Sequence, residues 1–184
     1  ITGTHGKTST TALLSHIFHF NNVNASYLYG GITTFNGIGG HYGDPDQPLI
    51  LETDEAFNTF EKIKISDLLV LNVDSDHLDY FKNLDNYKDA FYKVMKNVTD
   101  NLVINNDDLN IKSMKELKNP VSYGKDISAD FKVQSPGTFL YENNKYEIKS
   151  DIIGDHFKSN MLGAIILAFL NAVSYTHLRA HETE

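Results

Sequence analysis

The sequence predicts an α/β fold: a mostly parallel sheet flanked by helices, with a small antiparallel β hairpin attached. Three observations predict it. Short continuous apolar runs alternate with stretches of helical periodicity, two of those runs end in acidic clusters, and a glycine-rich turn at Gly3 to Thr8 opens directly into a helical pattern.

In chain order, Leu13, Leu14, Ile17 and Phe18 recur at helical spacing over residues 7–20, and Asn21-Asn22 end the pattern. Ala25 to Tyr29 is a short strand. Gly30 to Gly43 holds six of the 12 glycines, too many for a regular element, and reads as a loop of the kind that moves over a ligand. Pro48 to Leu51 and Asp67 to Val73 are buried-strand signals that lead into Glu52-Thr-Asp-Glu55 and Asp74-Ser-Asp-His-Leu-Asp79. In open α/β sheets that carboxyl edge is where ligands bind. Leu84, Tyr87, Phe91, Val94, Met95 and Val98 form an amphipathic helix, followed by a strand at Leu102 to Ile104, a helix near 108–117 and a strand at Val121 to Tyr123. From Ala129 to Ile148 the period switches to two, with Asn143-Asn144 as the hairpin turn. A last helical pattern runs from Asn160 to Val173.

With 184 residues, 41% hydrophobic and 22% charged, the chain suits one α/β domain, assigned to residues 1–173. Only Ile1 and Thr2 precede the glycine turn, so the start reads as a domain truncated within its first strand. Residues 174–184, SYTHLRAHETE, carry Arg179, the only arginine, with His177 and His181; they read as appended cloning sequence and are given no function. A net charge of −8 argues against a general nucleic-acid partner but not against a nucleotide site. The absence of cysteine excludes disulfides and thiolate metal sites and fits a cytoplasmic location. Met161 to Leu170, the longest apolar run, is half the ~20 residues of a membrane span, so no membrane partner is expected.

Gly3-Thr4-His5-Gly6-Lys7-Thr8 followed by Ser9 is the strongest signal. Glycines let backbone N–H groups curl around phosphate oxygens, and the following helix directs its positive end at the same charge. Lys7 can reach the β- and γ-phosphates, and the Thr8 hydroxyl can ligate Mg²⁺. The alternative is an ordinary loop-to-helix turn, because Ile1 stands where the common phosphate-loop pattern has its first glycine.

GTHGKT resembles the loop of the Mur ligases, which build the peptide of peptidoglycan, and of their folylpolyglutamate synthetase relatives. His5 points to the branch that joins L-alanine to UDP-N-acetylmuramate and to a muropeptide-recycling relative that adds a tripeptide. Three further segments are similar in order. Residues 53–60, TDEAFNTF, resemble a stretch whose glutamate, here Glu55, binds metal. Residues 72–81, NVDSDHLDYF, resemble a stretch whose histidine, here His77, holds a second metal ion. Residues 154–160, GDHFKSN, resemble a segment that contacts adenine, which implies His156 and Asn160.

The residues themselves leave alternatives open. Glu55 also reads as a solvated acidic turn, and His77 as a helix cap or core histidine, since imidazole suits Mn²⁺ better than Mg²⁺. Asp76 and Asp79 flank His77 and could orient it. Phe157 stands where the family has an asparagine, and Ala56-Phe57 where it has Ser-Asp. The resemblance implies the central ATP-binding domain of an ATP-dependent acid–amino-acid ligase, EC 6.3.2 class, working through an acyl phosphate. Lys7, Glu55 and His77 would be catalytic, residues 3–9 with His156 and Asn160 would bind ATP, and Thr8, Glu55 and His77 would hold Mg²⁺ or Mn²⁺. UDP-N-acetylmuramate and L-alanine would be bound mainly by other domains, and the fragment alone would be inactive. A phosphate-loop module without ligase activity is the reading from a different class.

Overall fold

The computed structural model describes residues 1–32, 35–54, 63–74, 81–114, 117–150 and 154–171. Along the chain, helix α1 (Lys7–Phe20) precedes β1 (Ser26–Leu28), β2 (Gly40–His41), β3 (Leu49–Leu51) and β4 (Leu68–Val70). Then come α2 (Leu84–Lys96), β5 (Leu102–Asn105), α3 (Leu109–Lys112) and β6 (Val121–Gly124). The hairpin strands β7 (Phe131–Ser135), β8 (Thr138–Tyr141) and β9 (Asn144–Glu147) and helix α4 (Asp155–Leu170) complete the set.

The apolar runs become strands because both of their faces are covered. Along β4, Leu69 and the following Leu71 enter one core with α1 and α4, while Leu68 and Val70 enter a second core with α2. β5 divides the same way, Val103 to the first core and Leu102 and Ile104 to the second. A strand buried on both faces reads as a continuous apolar run rather than an alternating one. α4 lies so close to the sheet at Gly163 that a Cβ there would stand 2.9 Å from the Leu69 side chain and from the Tyr123 hydroxyl. α2 is fixed at its start by Asn83, whose side chain accepts the Asn86 N–H, and carries Asp85 in its first turn and Lys93 and Lys96 in its last.

Strands β4 to β7 pair in parallel, and β8 and β9 extend that sheet antiparallel, in the order β4-β5-β6-β7-β8-β9. A second sheet runs β2-β1-β3, with β1 parallel to β3. Ile1 and Thr2 join the two. The Ile1 nitrogen donates to the Leu51 carbonyl and Thr53 N–H to the Ile1 carbonyl. On the other side Thr2 N–H donates to Leu69 and Leu71 N–H to Thr2, a parallel bridge to Val70. These two residues lie as strand between β3 and β4 and deliver the glycine turn to the carboxyl edge of the sheet.

Five local readings are corrected. The hairpin turn is Glu142-Asn143, both at positive φ (48° and 65°), and Asn144 already belongs to β9. The period-two region contains a second turn at Pro136-Gly137, so it is a three-stranded extension of the main sheet rather than one hairpin. The 30–43 region, read as having no regular element, contains the short strand β2, and next to it Tyr29 N–H donates to the Gly39 carbonyl. α4 begins at Asp155, five residues before the apolar pattern becomes visible, and α3 is a single turn. Residues 172–184, and with them His177, Arg179 and His181, lie outside the described residues.

Candidate functional site

Helix α1 starts without a side-chain cap, on Gly6 at φ 86°. The backbone N–H groups of Gly6, Thr8 and Ser9 have no acceptor among the described residues. An uncapped helix start beneath a glycine turn leaves backbone donors available to an anion. Lys7 curls over the turn, its ammonium donating to the Gly3 carbonyl at 2.8 Å and the Thr4 carbonyl at 3.4 Å. The Ser9 and Thr10 hydroxyls both donate to Gly6 O, at 3.2 and 2.7 Å.

The first half of the turn faces the protein instead. Thr4 N–H donates to the Asn72 carbonyl at 3.1 Å. The Asn72 side chain clasps His5 on both sides, its Oδ1 accepting His5 N–H at 2.8 Å and its Nδ2 donating to His5 O at 2.9 Å. Gly3, at φ 142°, allows this approach, since a Cβ there would sit 3.1 Å from the Asn72 backbone. Thr4 and His5 therefore shape the turn with amides that are already bonded, while the open amides come from Gly6, Thr8 and Ser9. The His5 ring stands 4.0 Å from the Asp74 carboxylate, both exposed.

On one flank, the Thr8 hydroxyl donates to Glu52 Oε1 at 2.8 Å, and Glu52 Oε2 accepts Gly30 N–H at 2.9 Å. Glu52 is the carboxylate that the sequence reading passed over. It is the first residue past β3, and its position at the carboxyl end of a buried strand was the signal that could have found it. Glu55 and His77 lie outside the described residues.

On the other flank, a cleft of about 840 Å³ runs from His5 and Gly6 past the ends of β4 and β5 to the β7–β8 turn and the first turns of α4. His156 and Asn160, one helical turn apart, both line it, and so does Phe157. Asn160 presses on the glycine turn: a Cβ on Gly6 would stand 2.3 Å from its Nδ2. Beneath, the Tyr123 hydroxyl is fully buried, and burial pushes its pKa well above the usual phenol range.

The ends of β4 and β5 are knitted together under the cleft. Asp108 caps α3 with one carboxylate oxygen and accepts Val73 N–H with the other, at 3.0 Å. Asn110 donates to the Val73 carbonyl and Asn105 to that of Leu71. The glycine turn thus stands between the Thr8–Glu52 pair on one side and, on the other, a cleft lined by His156, Phe157 and Asn160 together with Asp74, Asp107, Asp108 and Asp155.

Comparison with known proteins decides the family. The family profile "Mur ligase middle domain" matches residues 1–168. The chain belongs to the Mur ligase family. Relatives of this Mur ligase domain include the UDP-N-acetylmuramate–L-alanine ligases of Hydrogenobaculum sp. (31% identical, over 97% of this chain and 42% of the relative) and of Clostridium botulinum strain Loch Maree (36%, over 91% and 39%). The chain thus spans about two fifths of the length of these relatives. Among solved structures, the MurC ligase of Thermotoga maritima superposes with a TM-score of 0.80 at 23% identity, covering 96% of this chain and 42% of that one. The MurF ligase of the same organism, solved in complex with ADP, superposes with a TM-score of 0.65 at 18% identity, covering all of this chain and 48% of that one. Both show that the Mur ligase central fold is the fold seen here. Among the described residues no helix is long and apolar enough to cross a membrane.

Proposed function

We propose that this chain is the nucleotide-binding middle domain of a cytoplasmic ATP-dependent ligase that joins L-alanine to UDP-N-acetylmuramate. The observation that carries the reading is the uncapped start of α1, with the N–H groups of Gly6, Thr8 and Ser9 open beside Lys7 and Thr8 paired to Glu52. Relatives of 31–36% identity named for that reaction support the L-alanine assignment over the tripeptide-recycling one.

The residues fit a magnesium ion. A threonine hydroxyl and a carboxylate oxygen 2.8 Å apart are hard oxygen donors of the kind Mg²⁺ takes alongside phosphate and water. Thr8 and Glu52 would hold it, and bound there it would neutralise charge on the terminal phosphates. Glu55 and His77 are retained as further candidate ligands on the resemblance alone.

The chain's own part in the reaction is positioning and charge. The cleft with His156, Phe157 and Asn160 takes the adenine end, and the open amides take phosphate oxygens. The Lys7 ammonium exchanges the carbonyls of Gly3 and Thr4 for the β- and γ-phosphates. In the proposed reaction a carboxylate oxygen of UDP-N-acetylmuramate attacks the γ-phosphorus in line, and the bond to ADP breaks. The L-alanine amine then attacks the acyl carbon, loses a proton, and phosphate leaves. Both acceptor substrates are held by parts of the protein beyond this chain, so the domain alone binds nucleotide without turning it over.

The test is Lys7→Ala in the full-length ligase. The reading predicts a loss of L-alanine-dependent phosphate release by a factor of about 10² or more, as for loss of a transition-state charge contact, with an unchanged urea midpoint. Near-normal ligation refutes it. Replacing L-alanine with the recycling tripeptide, with the UDP-sugar kept, in the same assay separates the two substrate assignments.

A further inference from the structure

Tyr87 sits at the second turn of α2, fully buried, far in sequence from the phosphate turn. Its ring is held edge-on between Phe81 (centroids 4.9 Å apart) and Phe91 (5.1 Å), so its hydroxyl is aimed by packing. That hydroxyl lies 3.1 Å from the Thr4 hydroxyl, which is itself buried. Thr4 Oγ1 also accepts Asp74 N–H at 2.8 Å and faces the Asp74 carbonyl at 3.3 Å. Thr4 Oγ1 accepts Asp74 N–H, and either hydroxyl of the Tyr87–Thr4 pair can donate to the other.

A single threonine hydroxyl thereby ties together three segments: the glycine turn, the first acidic residue after β4, and helix α2. The neighbouring clasp of Asn72 on His5 fixes the next peptide, so the path of the turn into Gly6 is set from below by Thr4 and from the side by Asn72. We propose that Tyr87 is a positioning residue for the nucleotide, acting through the Thr4 hydroxyl on the curvature of the phosphate turn. Tyr87 touches no ligand. Its effect reaches the phosphates through Thr4 and the amides that follow it, and the inference rests on the nucleotide reading above.

The experiment compares Tyr87→Phe, Thr4→Val, Thr4→Ser and the Tyr87→Phe/Thr4→Val pair in this chain. Dissociation constants for ATP with excess Mg²⁺ are read by titration calorimetry, and urea midpoints are recorded alongside. Tyr87→Phe keeps the ring and its packing and loses the hydrogen bond to Thr4, which weakens Mg·ATP binding about fivefold. Thr4→Val weakens binding at least as much, the double variant is no worse than Thr4→Val alone, and Thr4→Ser, which keeps the hydroxyl, binds as the unaltered chain does. Equal affinity for the unaltered chain and Tyr87→Phe overturns the proposal. So do losses that multiply independently in the double variant, and a loss that only tracks a lowered urea midpoint. Amide exchange without nucleotide supplies an independent arm: Tyr87→Phe must accelerate exchange at Asp74 while leaving Val103, in the middle of β5, unchanged. If the unaltered chain binds no Mg·ATP, the nucleotide reading fails, and with it Tyr87 as a nucleotide-positioning residue. The exchange arm then shows separately whether the Tyr87–Thr4 tie exists.

Discussion

Asn72 offers a sharp test of how the glycine turn is held, because the substitution closer in shape should be the more damaging of two. Its side-chain amide makes two hydrogen bonds to one residue, accepting His5 N–H at 2.8 Å and donating to His5 O at 2.9 Å. Asn72→Ala removes both, and at about 1 kcal/mol each the turn loses about 2 kcal/mol of order. His5 is exposed, so water replaces part of this, and about 1–2 kcal/mol is the net expectation. If that loss falls on nucleotide binding, affinity drops about 5- to 30-fold. Asn72→Asp is closer in shape but worse. It keeps the acceptor for His5 N–H, yet sets a carboxylate oxygen 2.9 Å from the His5 carbonyl oxygen and places a negative charge beside an anion site. The assay is the dissociation constant for ADP by calorimetry, with urea unfolding as a control for stability. The expected order of affinity is Asn, then Ala, then Asp. An aspartate variant that binds ADP within twofold of the unaltered chain refutes the idea that this clasp shapes the site.

Two further substitutions probe the frame that carries the turn. Gly163→Ala gains about 1 kcal/mol of helix propensity. Its Cβ, however, would sit 2.9 Å from both the Leu69 side chain and the Tyr123 hydroxyl, and those two residues are fully buried. Overpacking of that kind costs about 1–3 kcal/mol, so urea denaturation should show a less stable protein, and a stabilised variant contradicts the packing. Glu142→Gly runs the other way: Glu142 sits at φ 48° in a two-residue turn, and relieving that conformation should raise stability by about 0.5–1 kcal/mol. A lowered urea midpoint for that variant would place the turn elsewhere.

Where the physics is local, the sequence was readable. Helix α1 begins at Lys7 and ends at Phe20, as the Leu13, Leu14, Ile17, Phe18 spacing and the Asn21-Asn22 stop require, and the doubly covered strands β4 and β5 announced themselves as apolar runs. What escaped depends on partners distant in sequence. Of the first five residues of α4 only Phe157 is apolar, because they line the cleft instead of the core, so no helical periodicity marks them as helix. The turn at Glu142-Asn143 was misplaced by one residue because Asn is the commoner occupant of positive φ, and here Glu takes one of the two positions. Glu52 was hidden by its neighbours. Of the acidic residues that follow β3, the one that meets Thr8 is decided by the register of β3 against Ile1, a contact across about fifty residues of chain. The bonded amides of Thr4 and His5 were invisible for the same reason, since Asn72 lies 67 residues beyond His5.

The central claim is that backbone N–H groups at the start of α1 receive phosphate. Following backbone amide resonances while ADP or Mg·ATP is titrated into this chain tests it most directly. The account predicts large, saturating shifts at Gly6, Thr8 and Ser9, with slow exchange at Thr4 and His5 before any nucleotide is added, because those two amides are already bonded to Asn72. Saturating nucleotide that leaves Gly6, Thr8 and Ser9 unmoved contradicts it.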